Sequence, residues 1–581
     1  MSVKHPKKPN SKRLSPSDSF PQLKRRKRRV KLADVLGSTP LRVYGTFFLT
    51  YGALTVFSQL FLFFLKTEVN EAAILRPLIC GFVLVAFSIP FFVSGKPLWK
   101  IAIDKPFFRF VSFDYFCLPH GSLHTSKGIP LLLSIVFGIL FSVFGYFVSP
   151  FVSVMSLLGL LILSCAVTAP EMPLFLSILL FPVFALFANG NHVICALLLF
   201  CFFAYLRKLL TGRRKADLSL YDLGFFLFGI LVLVGGFVTG GDFPVSSLML
   251  FLFLLISPLI GNLLTNSRLL SCAYGSFVVG SFAASILTIL RVSFSRSPDY
   301  EFRFSFVKSA ADALLSATDT HFYSVYLICS IFASLYFLHE KTTKFFFGCN
   351  ITAMLLALFA LSLSLDIFVL LAIVAATLFV FIALAPGRAA LLWLIPVLLL
   401  PPAVLVLPHF VPVLADRLQG TALDFDVTAL PTLLPLLRET FFFGFGQDSA
   451  ADVASVSLPS LSPGSAYLPM LLSLGVLASG VLLITLLMRP IHMFRFDLKY
   501  GSQNRDYAAV CASAATLAVL ILGLFRYPFS QLSAFYPFFT VFAIGSVSMT
   551  NYAKEVKDRA EASRFQSEAT EAVANVYIQK L

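Results

Sequence analysis

Arg438 and Glu439 stand just before Phe443-Gly444-Phe445-Gly446, within the longest polar stretch between apolar runs, 409–465. A guanidinium stays charged and engages phosphate or carboxylate oxygens with a planar fork, so an arginine there reads as an anion holder. Arg291, Arg296 and Arg303 (with Lys308), Arg417 and Arg526 fall in other segments that a topology count places outside the membrane. Basic residues kept against the positive-inside preference point to an anionic ligand. Each also has a plainer reading. Asp416 adjoins Arg417, Glu439 adjoins Arg438, and 291–320 carries Asp299, Glu301 and Asp312. Exposed pairs of this kind are common and weak. Gly444 and Gly446 would let backbone approach a ligand closely, or simply form a tight turn.

The elements that must position these residues are apolar helices. Hydrophobic residues make up 58% of the 581-residue chain and charged residues 13%. A soluble protein of this length could not cover that much apolar surface. Long apolar runs with short polar breaks read as transmembrane helices, and β-barrel alternation is absent. Helices are expected near 41–65, 74–94, 129–149, 151–168, 172–188, 191–207, 221–240, 245–265, 269–290, 321–338, 345–363, 366–385, 389–408, 466–488, 507–524 and 532–549. The expected fold class is therefore an all-α polytopic membrane protein with about 14–16 transmembrane helices. Prolines crowd the pair at 151–188, which could instead form one re-entrant element. The 66 phenylalanines read as filling for lipid-facing and interhelical space.

Charge orients this map. Residues 1–34 hold twelve Lys or Arg against Asp18 and Asp34, so this tail supplies +10 of the net +16. Nucleic-acid binding is one reading of such a tail. Because a membrane span follows at once, a disordered cytoplasmic tail touching anionic lipid is the better one, and no nucleic-acid partner is expected. With the tail inside, the clusters at 95–128, 208–220, 339–344, 386–388, 489–506 and after 550 also fall inside. Both termini are then cytoplasmic, and 409–465 is one large extracytoplasmic loop. The division expected is a basic tail at 1–40, N-terminal transmembrane helices at 41–290, a second transmembrane region at 291–550 and a cytoplasmic tail at 551–581. The nine cysteines follow no metal or disulfide spacing, and no metal site or cofactor is expected. P-loops, His-Cys clusters and a GxSxG elbow are absent. Asp222 and Asp242 flank opposite ends of one helix, and no strong ionisable residue stands in mid-span.

The order of landmarks resembles the O-antigen ligase and polymerase family of bacterial membrane proteins, over about residues 300–550. Thr432 to Phe445 is similar to that family's loop pattern, with Phe443-Gly444-Phe445-Gly446 as its glycine pair. Tyr467-Leu468 and Leu474-Gly475-Val476 resemble the close of the loop and the step into the next helix. Leu315 to His321 and Leu361 to Phe368 occupy two upstream outer turns. Where the family's loop histidine falls, this chain reads Pro463-Gly464-Ser465-Ala466, and its Ser-Arg-Gly turn appears with Leu365 or Asp366.

The resemblance implies a GT-C-like fold and a metal-independent membrane glycosyltransferase. Glycan would pass from a polyprenyl-diphosphate carrier to a sugar hydroxyl at the outer face of the bacterial cytoplasmic membrane. Cations must hold the leaving diphosphate as its charge grows. Arg438 is the first choice, with Arg291, Arg296, Arg303, Arg417 and Arg526 as substrate-binding partners and Gly444 and Gly446 giving close backbone approach. The general base would come from His321, His409, Glu439 or Asp448; His321 also reads as a polar helix cap. The expected partners are the lipid-linked glycan, membrane lipid and other glycan-assembly proteins. Two other readings stand beside this one: a lipid-linked glycan flippase or exporter, and a catalytically degenerate scaffold of a glycan-assembly complex.

Overall fold

The computed structural model describes residues 32–65, 71–93, 95–104, 109, 128–148, 150–166, 169–184, 190–212, 216, 218–239, 245–295, 320–339, 344–363, 367–384, 438, 441–444, 467–500, 506–525 and 532–578. Among these residues the chain is almost entirely helical and has no strand. The order is α1 Leu32–Ser38, α2 Leu41–Leu65, α3 Glu71–Ser88, α4 Leu98–Asp104, α5 Leu131–Phe147, α6 Pro150–Ala166, α7 Glu171–Phe184, α8 Gly190–Leu210 and α9 Leu220–Thr239. It continues with α10 Val245–Leu254, α11 Ile256–Leu263, α12 Ser267–Ser295, α13 Thr320–His339, α14 Lys344–Leu363, α15 Ile367–Leu384, α16 Tyr467–Tyr500, α17 Tyr507–Phe525 and α18 Phe535–Ile578. Seven of the described helices are long and apolar enough to cross a membrane, and further apolar helices are shorter.

The apolar runs become helices close to their expected bounds, except the run at 389–408, which lies outside the described residues. The proline-crowded pair is two helices, α6 and α7. Pro150 and Pro173 sit in first turns, where the missing N–H has no intrahelical partner to lose. Two helices outrun their apolar cores. α18 continues without a break from its membrane part to Ile578, because Met549 to Ala553 contains neither glycine nor proline. α16 runs on through Pro490 to Tyr500, where a loop at 489–506 is expected.

The chain forms two compact units, divided inside α6 between Gly159 and Leu160. In the first, α2 packs on α3 and α5 around Phe47, Tyr51 and Leu84. Gly52 and Gly81 set the α2–α3 distance. A Cβ on Gly52 would meet the Gly81 carbonyl oxygen at 2.8 Å, so the two backbones touch directly. Phe57, Phe61 and Phe64 of α2 are exposed, which suits a surface facing lipid.

In the second unit α7 lies buried against α8 and α12, with α13, α17 and α18 completing the core. Pro182 sits inside α7. It lacks the N–H that the Ile178 carbonyl would accept, and no water is at hand in an apolar core. The Tyr326 hydroxyl of α13 donates to that carbonyl at 3.1 Å. Gly280 of α12 leaves the space through which this hydroxyl passes, because a Cβ there would strike it. Around this point Phe181 stacks on Tyr536 at 4.5 Å, and the Tyr536 hydroxyl bonds Ser177 Oγ at 2.6 Å.

Candidate functional site

The turn Phe441–Gly444 is held between two helices of the second unit. Its anchor is a break in α16. Gly475 has φ 73° and ψ 171°, a conformation essentially confined to glycine, and splits the helix into two pieces. The Val476 N–H turns away from its own helix and donates to the Phe441 carbonyl at 2.8 Å. Ser479 Oγ donates to the Met470 carbonyl at 3.3 Å, nine residues back. In a straight helix those residues would lie about 13 Å apart, so this bond measures how sharply the pieces fold together.

Three glycines allow the junction. Gly444, with φ 70°, is buried so tightly that a Cβ would lie 2.5 Å from the Ser473 carbonyl carbon and oxygen. A Cβ on Gly475 would strike the Phe442 carbonyl in return. On the other side, a Cβ on Gly235 of α9 would meet the Phe443 carbonyl oxygen at 2.8 Å. Phe441 and Phe442 stand exposed on the turn, edge to face at 5.3 Å, and Arg438 is exposed three residues earlier. The arrangement is a close backbone-to-backbone seat for the turn, with two exposed aromatic rings on it and an exposed guanidinium three residues earlier in the chain.

The structure thus joins two landmarks that lie about thirty residues apart in sequence, the Gly444 turn and the Leu474-Gly475-Val476 step. Of the other candidate residues, His321 lies in the first turn of α13 and Arg291 in the last turns of α12, with side chains outside the described set. Glu439, Arg296, Arg303, Arg417, Arg526 and Gly446 lie outside the described residues, as do His409 and Asp448. No protein-family model matches the chain, and comparison with curated proteins gives no match.

The sequence reading assigned no role to several residues that the structure places at helix ends and helix contacts. Gly235 carried no signal, because a glycine in an apolar run says nothing about what approaches it. Glu171 is buried in the first turn of α7, where the helix dipole favours a carboxylate. Tyr221 Oη and His492 Nδ1 share a hydrogen bond of 2.8 Å between α9 and α16. Asp222 is buried at the start of α9 in a capping box with Ser219. The spacing Ser219-x-x-Asp222 was the legible signal for that last feature.

Proposed function

We propose that this protein takes part in bacterial cell-surface polysaccharide assembly, passing glycan from a polyprenyl-diphosphate carrier at the outer face of the cytoplasmic membrane. The observation that carries the reading is the seat of the Gly444 turn on the Gly475 break, since both belong to the ordered landmarks that resemble the O-antigen ligase and polymerase family. Phe441 and Phe442 stand exposed on the turn, and Arg438 is exposed three residues earlier in the chain. A guanidinium suits a diphosphate, and exposed aromatic rings suit an isoprenoid chain. In this reading the shorter apolar helices also cross the membrane, giving about 14–16 spans in a GT-C-like arrangement. Both termini are cytoplasmic, and 409–465 is the extracytoplasmic loop.

The chemistry would be metal-independent. Arg438 would steady the leaving diphosphate, with the other outer arginines as further holders. Glu439 or His321 would accept the proton of the acceptor hydroxyl. The test is glycan transfer by the purified protein from a polyprenyl-diphosphate-linked donor. Arg438→Ala should lower the rate about a hundredfold, the usual cost of losing one charge-stabilising group. Full transfer by both Arg438→Ala and His321→Ala would remove the site assignment. Absence of any transfer, with loss of surface glycan in a deletion strain, would favour the scaffold or flippase instead.

A further inference from the structure

A second polar feature lies at the opposite end of α9 from the Gly444 seat. Asp222 and Gly235 are thirteen positions apart on that helix, or about 20 Å. Here Ser219, Asp222, Ser257, Gly261, Ser546, Thr550, Asn551 and Lys554 line a cavity of about 110 Å³. Three apolar spans end at this level: Leu220–Val238 begins here, and Val245–Leu263 and Leu532–Val556 finish here. The cavity lies near the ends of three apolar helices, the level at which a spanning helix meets lipid headgroups.

Its hydroxyls and its carboxylate offer acceptors, and Ala543 and Val547 add apolar surface. Ser219 Oγ donates to Asp222 Oδ2 at 2.8 Å and Ser257 Oγ to Asp222 Oδ1 at 2.6 Å. Ser546 Oγ donates to the Phe542 carbonyl, Thr550 Oγ1 to the Ser546 carbonyl, and Asn551 Nδ2 to the Leu264 carbonyl. Each hydroxyl has one proton, and each has already placed it. What these hydroxyls leave toward the cavity is oxygen lone pairs, beside the carboxylate of buried Asp222, the second N–H of Asn551 and the ammonium of Lys554. Such a wall complements a group rich in N–H donors and positively charged. Lys554 lines the same cavity and is exposed, so a cation sits at its edge as well. Gly261 keeps the space open: the sole atom near a Cβ built there is Asp222 Oδ2, at 3.8 Å.

We propose that this cavity binds phosphoethanolamine, carried by a membrane phospholipid headgroup or as a free compound. The primary ammonium rests among Asp222 and the acceptor hydroxyls, and the phosphate meets Lys554. The volume has room for a few water-sized groups, as the aminoethyl arm needs. A choline headgroup carries no N–H and is bulkier, so the same wall rejects it. This site is separate from the Gly444 seat and stands whether or not glycan transfer is found.

The experiment uses the full-length protein released from nanodiscs and weighed by native mass spectrometry. Phosphatidylethanolamine, phosphatidylcholine and phosphatidylglycerol of matched chains are supplied in turn. Phosphatidylethanolamine should be retained at least about tenfold over the other two, the ratio expected from one charge-assisted hydrogen-bonding site. Gly261→Leu fills the cavity from the α11 side, against Asp222 Oδ2, and should lower retention by about the same factor. Asp222→Asn keeps the shape and removes the charge, and should do likewise if Gly261→Leu does not fold. Soluble phosphoethanolamine is the second arm. If it raises the melting temperature in detergent through Asp222 and the lipid is not retained, the free compound is the ligand. Equal retention of the ethanolamine and choline lipids, unchanged retention in a folded Gly261→Leu variant, or stabilisation by sodium alone overturns the proposal.

Discussion

Replacing Gly475 by alanine tests the seat most directly. The new Cβ would lie 2.6 Å from the Phe442 carbonyl carbon and 2.7 Å from the Gly444 nitrogen, both backbone atoms that cannot rotate aside. The backbone conformation at Gly475 would itself cost a side-chain-bearing residue about 1–3 kcal/mol. If the turn lifts to relieve the clash, the Val476–Phe441 hydrogen bond is lost, at about 0.5–1.5 kcal/mol. Together the expected loss is about 2–4 kcal/mol. Gly480 is the control on the same helix: nothing lies within 4 Å of a Cβ there, so alanine should be neutral or stabilise by up to about 1 kcal/mol. The assay is unfolding in mild detergent, followed by limited proteolysis around 438–446. Gly475→Ala should melt earlier and be cut faster near the turn, while Gly480→Ala should do neither. Glycan transfer, where present, should fall in the first variant as it does in Arg438→Ala. Equal melting and equal cleavage of the two variants would refute the clasp.

Two further outcomes follow from the core. Tyr326→Phe should cost about 1–3 kcal/mol, because it leaves the Ile178 carbonyl unsatisfied beneath Pro182. In a Pro182→Ala background the helix supplies its own N–H, so the same change should cost clearly less; a double-mutant cycle of thermal unfolding reads the difference. Ser334 Oγ is buried on α13 with no hydrogen-bond partner. Ser334→Ala should therefore leave stability unchanged or raise it, read as the shift in melting temperature against the parent.

The glycan-transfer reading asks the Gly444 seat to do two things at once. It must hold an otherwise polar loop against the bundle, and it must present Arg438 and the two phenylalanines outward. Backbone-to-backbone clasping suits this, since it spends no side chain on anchoring. A helix broken at Gly475 also frees a backbone N–H for the turn, which a continuous helix would keep for itself.

The helices were legible because a membrane chain writes them in composition: apolar runs of span length have no other way to satisfy their backbone. Gly444 and Gly475 stood among the quoted landmarks, and both take the positive φ that glycine permits. Partnership was not legible. That Gly444 sits on Gly475, that Gly235 completes the clasp, and that Tyr326 attends the carbonyl freed by Pro182 are relations between residues distant in the chain. In a sequence this apolar, every helix face looks alike, so periodicity does not say which face meets which neighbour. Only the packed structure chose among those faces, because close backbone approach and the pairing of buried polar atoms exist only once the helices are side by side.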